Sequence, residues 1–212
     1  MFDAVAPRYD LLNDLLSMGQ VRFWRKRVAR IVAAAHPDSV LDLAAGTGTS
    51  TRTFERNGAR AVACDFSLGM LQAGDATDPV AGDGLNLPFR DESFDLTTIS
   101  YGLRNMQDTK RALQEMYRVT RRGGYLVIAE FSEITAKPLN TLYNGFVAKA
   151  LPAIAQRVGN NPDAYEYLAE SIKDWPNQRE LAAIIEGAGW TNVKWQDLTL
   201  GVVAVHVARR PE

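Results

Sequence analysis

Reactive side chains are scarce in this sequence. Its 212 residues include one cysteine, Cys64, and two histidines, His36 and His206. A single cysteine excludes an intramolecular disulfide framework and any cysteine-based zinc site, and two histidines exclude a histidine-rich metal centre. No metal ligand set is expected. Such sparing thiol use suits the reducing cytoplasm. An excess of either charge is lacking too: 24 Lys and Arg face 25 Asp and Glu, so the net charge of −1 makes no whole-surface case for nucleic acid. No apolar run approaches the ~18–20 residues needed to span a bilayer. The opening MFDAVAPRYDLLND has no basic segment leading into an apolar one, so no secretory signal is expected. Any membrane contact is therefore expected at the surface, from the cytoplasmic side. Internal repeats and low-complexity tracts are absent as well.

What is present is the balance of an ordinary globular domain, 46% hydrophobic and 23% charged. The length fits one domain, with or without a lid, and a chain this long buries roughly 70% of its unfolded surface. Residues 20–35 predict a helix with Trp24, Val28, Ile31, Val32 and Ala35 on one face and Arg22, Lys26 and Arg30 on another. The short apolar run 39–44 predicts a buried parallel strand, and 49–57 the helix that follows it. Further strands are predicted at 60–64, 80–82, 94–100 and 125–131, with helices opening at 67–71 and spanning 108–121, where Gly123-Gly124 stops the second. Residues 138–175 show no strand and one long apolar-striped helix. A helix over about 177–187 and a hairpin of strands, about 191–197 and 202–209, close the chain. Strands alternating with helices predict a doubly wound α/β sheet with right-handed crossovers and an antiparallel C-terminal strand. The 138–175 segment is then an insertion able to cover the sheet's carboxyl edge.

The richest segment is Val40-Leu41-Asp42-Leu43-Ala44-Ala45-Gly46-Thr47-Gly48-Thr49. A strand delivers the chain to Gly46 and Gly48, which permit a tight turn and close approach of a ligand to backbone. The helix beginning near Thr49 aims unpaired N–H groups into the same space. A dinucleotide fingerprint wants a third glycine where Thr51 stands, so a nicotinamide-dependent oxidoreductase is the weaker reading. Asp65 ends the second strand, placed to accept both hydroxyls of a ribose or, alternatively, to cap the turn at Phe66-Ser67. After the third strand, Asp83 is placed to accept a purine amino group and Leu85 to pack on its face, unless Gly82–Phe89 is a plain polar turn. Three such features at adjacent strand ends describe one crevice.

Those segments, followed by Ile99-Ser100-Tyr101-Gly102-Leu103-Arg104-Asn105, resemble the class I S-adenosylmethionine-dependent methyltransferases. The match is closer to the menaquinone/ubiquinone biosynthesis C-methyltransferases (the UbiE/MenG type). Met1-Phe2-Asp3 through Trp24-Arg25 resembles that family's N-terminal block, and Tyr165 through Ile172 a later motif. The family usually carries extra residues before its MFD block, and 74–82 is short against its pattern. The resemblance runs from Met1 to about residue 208. It implies a Rossmann-like, mostly parallel seven-stranded sheet in one domain, 1–212, with N-terminal lid helices in 1–36 and the helical insertion at 138–175. It implies S-adenosylmethionine as cofactor. The expected cofactor-binding residues are Asp42, Gly46, Gly48, Thr51, Asp65, Met70, Asp83, Gly84 and Ser100.

The activity implied is methyl transfer to a ring carbon of a polyprenylated demethylnaphthoquinol, the step from demethylmenaquinol to menaquinol. The benzoquinol precursor of ubiquinone and another small molecule are the alternatives within the enzyme class. A cofactor-binding scaffold in a quinone-synthesis assembly is the alternative outside it. Arg104 and Asn105, after the fourth strand, and Tyr9, on the N-terminal lid, are the expected catalytic residues, with Arg104 stabilising developing phenolate charge. A structural salt bridge is the competing reading of Arg104. His36, before the first strand, and His206, in the last, are expected to be structural. The five basic residues of 22–30, with the apolar stripe of 138–156, are expected to rest on an anionic membrane surface; a solvated face and a core-facing lid are the plainer readings.

Overall fold

The structure, a computed structural model, describes residues 19–134 and 170–212. Residues 1–18 of the N-terminal block, with Tyr9, the predicted helix 138–156 and Tyr165 through Ala169 lie outside the described residues. Helix α1 (Gln20–Ala34) buries Val21, Trp24, Val28, Ala29 and Val32, a stripe at helical spacing. Strand β1 (Ser39–Leu43) follows, then α2 (Thr49–Arg56), β2 (Arg60–Asp65), α3 (Leu68–Ala73), β3 (Pro79–Ala81) and β4 (Phe94–Ser100). A short 3-10 turn, Leu103–Asn105, precedes α4 (Thr109–Val119), β5 (Thr120–Phe131), α5 (Gln178–Gly187), β6 (Thr191–Leu198) and β7 (Val203–Arg209).

One seven-stranded sheet runs in the order β3-β2-β1-β4-β5-β7-β6. The first five strands are parallel, and β7 enters antiparallel between β5 and β6. Leu43 sits beside Cys64 on one side and Ile99 on the other, so the carboxyl ends of β1, β2 and β4 finish level. The strand order reverses at β1 and β4, where open α/β sheets place their ligands. Apolar packing covers both faces. On one, Leu41, Leu43 and Ile99 meet Leu113, Met116, Ile185 and Trp190 of the α4–α5 side. On the other, Val40, Leu96 and Val127 meet Val28, Val32 and Phe54 of the α1–α2 side.

Local chemistry sets the helix starts. Ser67 accepts from the Met70 N–H and Asp108 from the Arg111 N–H, while Asn177 and Glu180 form a reciprocal capping box at α5. The predicted α/β sheet and its antiparallel C-terminal strand are as expected. Three details differ. β3 covers 79–81 rather than 80–82. The last strand lies inside the sheet, with β6 at the edge, because β7 pairs on both sides. The fourth strand's partner begins at Thr120, ahead of the glycine pair predicted to stop the helix. Thr120 donates its hydroxyl to Met116 O at 2.7 Å and its backbone already pairs with Phe94, so α4 ends at Val119. The register shift between Phe94 and Leu96 absorbs Gly123-Gly124. No helix among the described residues is long and apolar enough to cross a membrane.

Candidate active site

The loop after β1 is left-handed three times, at Ala44 (φ 53°), Gly46 (φ 59°) and Gly48 (φ 73°). Gly48 caps α2, and a Cβ there would lie 2.8 Å from the Ala76 Cβ, so both conformation and space require glycine. The loop is lashed to β2. Ala45 N donates to Cys64 O at 3.2 Å, and Gly46 N donates to Asp65 Oδ2 at 2.8 Å. The other carboxylate oxygen of Asp65 accepts from Ser67 N at 2.8 Å. A carboxylate offers about four acceptor positions, so two remain for ligand hydroxyls. The capping alternative for Asp65 and the ribose reading are thus compatible.

Asp42 and Thr51 are 2% and 0% exposed, and the Thr51 hydroxyl donates to Asp42 Oδ2 at 2.7 Å. Neither side chain lines the crevice. They form the loop's footing, with Thr51 standing at the third-glycine position and its hydroxyl bonded to β1. Burial pushes the Asp42 carboxyl up to about 7; Asp65 adds to the rise, while Thr51 and the Arg25 charge oppose it. Met70 is buried beneath the loop, its Cε 3.1 Å from where a Gly46 Cβ would stand. Asp83 is exposed and bonds Leu85 N at 2.8 Å, and Gly84 is buried against the Met106 thioether. Leu85 is half-buried and leans partly on the core.

At the end of β4, Ser100 is half-buried and Tyr101 takes a left-handed φ of 59°, a strain held by packing of its ring on Trp24 and Phe131. A Cβ on Gly102 would stand 2.4 Å from the Ala44 Cβ, which brings the exits of β1 and β4 together. Arg104 follows. Its side chain is 7% exposed, and Nη1 donates to Glu130 Oε1 at 2.7 Å and to Tyr101 O at 2.6 Å. The structural salt bridge weighed against a catalytic role is therefore present. Asn105 Nδ2 lies 3.4 Å from the same Tyr101 carbonyl. His36 is exposed ahead of β1, at the opposite end of the sheet. His206 is buried with Nε2 2.8 Å from Gln178 O, and burial lowers its pKa. Both histidines stand away from the crevice. Cys64 is buried, its thiol pushed up to about 12.

Comparison with known proteins places this geometry. The family model of the ubiE/COQ5 methyltransferase family matches residues 1–210. The chain belongs to the ubiE/COQ5 methyltransferase family. It is 55% identical to the demethylmenaquinone methyltransferase of Streptomyces griseus over 214 aligned residues, covering 99% of this chain and 93% of that protein. It is 53% identical to that of Paenarthrobacter aurescens, covering 100% and 85%. Among solved structures, an S-adenosylmethionine-dependent methyltransferase of Thermotoga maritima matches with a TM-score of 0.68 at 19% identity, over 99% of this chain and 98% of that one. Phosphoethanolamine N-methyltransferase 2 of Haemonchus contortus, bound to S-adenosyl-L-methionine, matches at 0.61 and 13%, over 82% and 49%.

S-adenosylmethionine is the cofactor of this methyltransferase, and the crevice chemistry fits it. Spare acceptor positions on Asp65 and Asp83 and an apolar surface stand together at the carboxyl ends of β1 to β3, beside the glycine loop. That apolar surface was missed in the sequence: Phe66, directly after Asp65, is 82% exposed. Its signal was an aromatic side chain beside an acid at a strand end. Glu130 was missed as well, although a carboxylate ending the apolar run 126–131 stood out by its charge.

The raised Asp42 pKa carries a stability consequence. Native Asp42 keeps its proton up to about 7, whereas the unfolded chain releases it near ~3.9, so stability falls as pH rises between those values and is level above. Asp42→Asn retains an acceptor for Thr51 and escapes that penalty. Its stability relative to wild type is expected to improve by about 2 kcal/mol between roughly pH 5 and pH 8 in denaturant melts. A difference independent of pH contradicts the assignment.

Proposed function

We propose that this methyltransferase methylates a ring carbon of a polyprenylated demethylnaphthoquinol, the conversion of demethylmenaquinol to menaquinol. The relatives' name supports the substrate class. The observation that carries the chemistry is Arg104: a guanidinium held inside the crevice wall by Glu130, with its Nε buried and unpartnered among the described residues. When bound, S-adenosylmethionine supplies the electrophile, a methyl on a sulfonium sulfur that leaves as a neutral thioether.

The chain's own task is to place the ring carbon in line at ~3–3.5 Å and to keep the ring electron-rich. A hydroquinone oxygen carrying anionic charge pushes density onto the neighbouring carbon; a quinone has no such charge to give. Arginine does not act as a base, since a guanidinium keeps its proton in proteins. Arg104 therefore donates to the oxygen as charge builds there, and its permanent charge favours the phenolate over the phenol. Asn105 lies beside it on the same turn. Tyr9, from the N-terminal segment, is proposed to complete the group. The oxygen's proton leaves to solvent, and the ring proton follows once the new carbon–carbon bond has formed. Asp65, Asp83 and Gly84 hold the cofactor, with Gly46, Gly48 and Ser100 lining its path.

Arg104→Ala is a poor probe, because it abandons a buried Glu130 charge. Arg104→Lys keeps that pair but loses the planar fork. It is expected to lower kcat on reduced short-tail demethylnaphthoquinol about 100-fold, the size seen on removing one oxyanion donor. Calorimetry is expected to show S-adenosylmethionine affinity within about threefold of wild type. Matching losses in both sink the catalytic role, and turnover of the oxidised quinone at the quinol's rate sinks the mechanism.

The polyprenyl tail brings a membrane into the proposal. α1 carries Arg22, Arg25, Lys26, Arg27 and Arg30 with no acid between them, and Phe23 is 53% exposed beside Arg22 and Lys26. Arg27 is engaged with Gln196 at the sheet's edge, so the outward charge rests on the exposed Lys26 and Arg30. Each such residue is worth about 1 kcal/mol near an anionic surface. Vesicles containing anionic lipid are expected to pellet the enzyme, less so as salt rises, and neutral vesicles to leave it in solution. Failure to pellet with either composition rejects the contact.

A further inference from the structure

We propose that Glu130 is a positioning residue for the methyl transfer, holding the Arg104 guanidinium by one edge so that the other edge faces the ring oxygen. This rests on the reading of Arg104 as the group that meets the developing oxyanion. Glu130 ends the apolar run of β5 and its side chain is 1% exposed. Oε1 accepts from Arg104 Nη1 at 2.7 Å and from Phe131 N at 2.9 Å, and Oε2 stands 3.4 Å from Arg104 N. The carboxylate is thus fixed by its own strand before it meets the arginine.

The arginine is fixed in turn on three sides. Nη1 has two protons, and both are committed, one to Glu130 and one to the Tyr101 carbonyl at 2.6 Å. The Phe131 ring lies with its centroid 5.1 Å from Cζ, which restrains the plane of the guanidinium. That leaves the opposite edge. Nε is buried and has no partner among the described residues, and Nη2 makes no bond to any of them. A pair serving stability alone is expected to satisfy every buried donor, because an unmet one is costly. Replacing such a pair by apolar residues often leaves a protein as stable or more so, which makes stability a weak reason for keeping it. A half-satisfied, rigidly held guanidinium is what a site needs when the missing acceptor arrives with the substrate. Glu130 moves no proton in this scheme.

The test uses the whole enzyme with reduced short-tail demethylnaphthoquinol and S-adenosylmethionine. Glu130→Gln keeps the length and one acceptor oxygen but removes the charge. It is expected to lower kcat at least tenfold, with KM for the quinol and cofactor affinity each within about threefold. The acid limb of its kcat–pH profile is expected to move to higher pH, because a loosely held guanidinium favours the phenolate less. Glu130→Asp is expected to recover part of the loss. In an Arg104→Lys background, Glu130→Gln is expected to cost less than about twofold more, since the fork it aims is already gone. An unchanged kcat and pH profile in Glu130→Gln overturns the proposal, as does the same fold-loss in both backgrounds. If Arg104→Lys itself leaves kcat intact, it is the reading of Arg104 that fails. Should Glu130→Gln lose cofactor binding altogether, Glu130→Asp decides: a kcat loss of at least threefold with intact cofactor affinity supports the role, and no loss overturns it.

Discussion

Asp65 closes β2 with its two carboxylate oxygens on backbone N–H groups of two other segments, Gly46 in the loop after β1 and Ser67 at the start of α3. Three pieces of chain thereby share one charge, and the glycine loop takes a shape its own residues do not enforce. Beneath it, Thr51 ties the first turn of α2 to Asp42 in β1, so the loop is fixed from below as well as from the side. The level ends of β1, β2 and β4 make this possible, because they bring the loop, the acid and the Tyr101–Gly102 turn to the same height. Everything proposed for the site depends on that junction.

The chemistry explains why so few reactive residues suffice. Neither histidine nor the cysteine is at the crevice, and none is needed when the electrophile arrives on the cofactor. The protein's contribution is placement and charge. A guanidinium is suited to that work because it stays charged at every relevant pH and presents donors in one plane. Such a group is useful only if held, and the interior of a sheet edge is a costly place to hold it. The answer built here is a carboxylate on the neighbouring strand, a carbonyl in a strained turn and an aromatic ring.

Much of this was legible in the sequence, for identifiable reasons. Buried parallel strands write continuous apolar runs, so β1, β2, β4 and β5 were visible, and acids at strand ends marked the crevice. The end of α4 was misjudged because Gly123-Gly124 is a strong local stop signal, while the bond from Thr120 to Met116 and the pairing with Phe94 are choices made by the fold. Thr51 is a cofactor position that the family resemblance implies; only packing reveals that its hydroxyl bonds to Asp42. Arg104 was poised between a salt bridge and a catalytic donor; the structure supplies the salt bridge, to Glu130. No spacing rule links residues 26 positions apart, one in the turn after β4 and one on β5, so their partnership was hidden until those strands were paired.

The central claim is that a held guanidinium favours anionic charge on a ring oxygen so that the adjacent carbon, and not the oxygen itself, takes the methyl. Carbon-13 NMR of the product made with S-adenosylmethionine labelled in its methyl group reads this directly. The account predicts one labelled signal, that of a methyl bonded to the naphthoquinol ring carbon. A labelled methyl ether would contradict it.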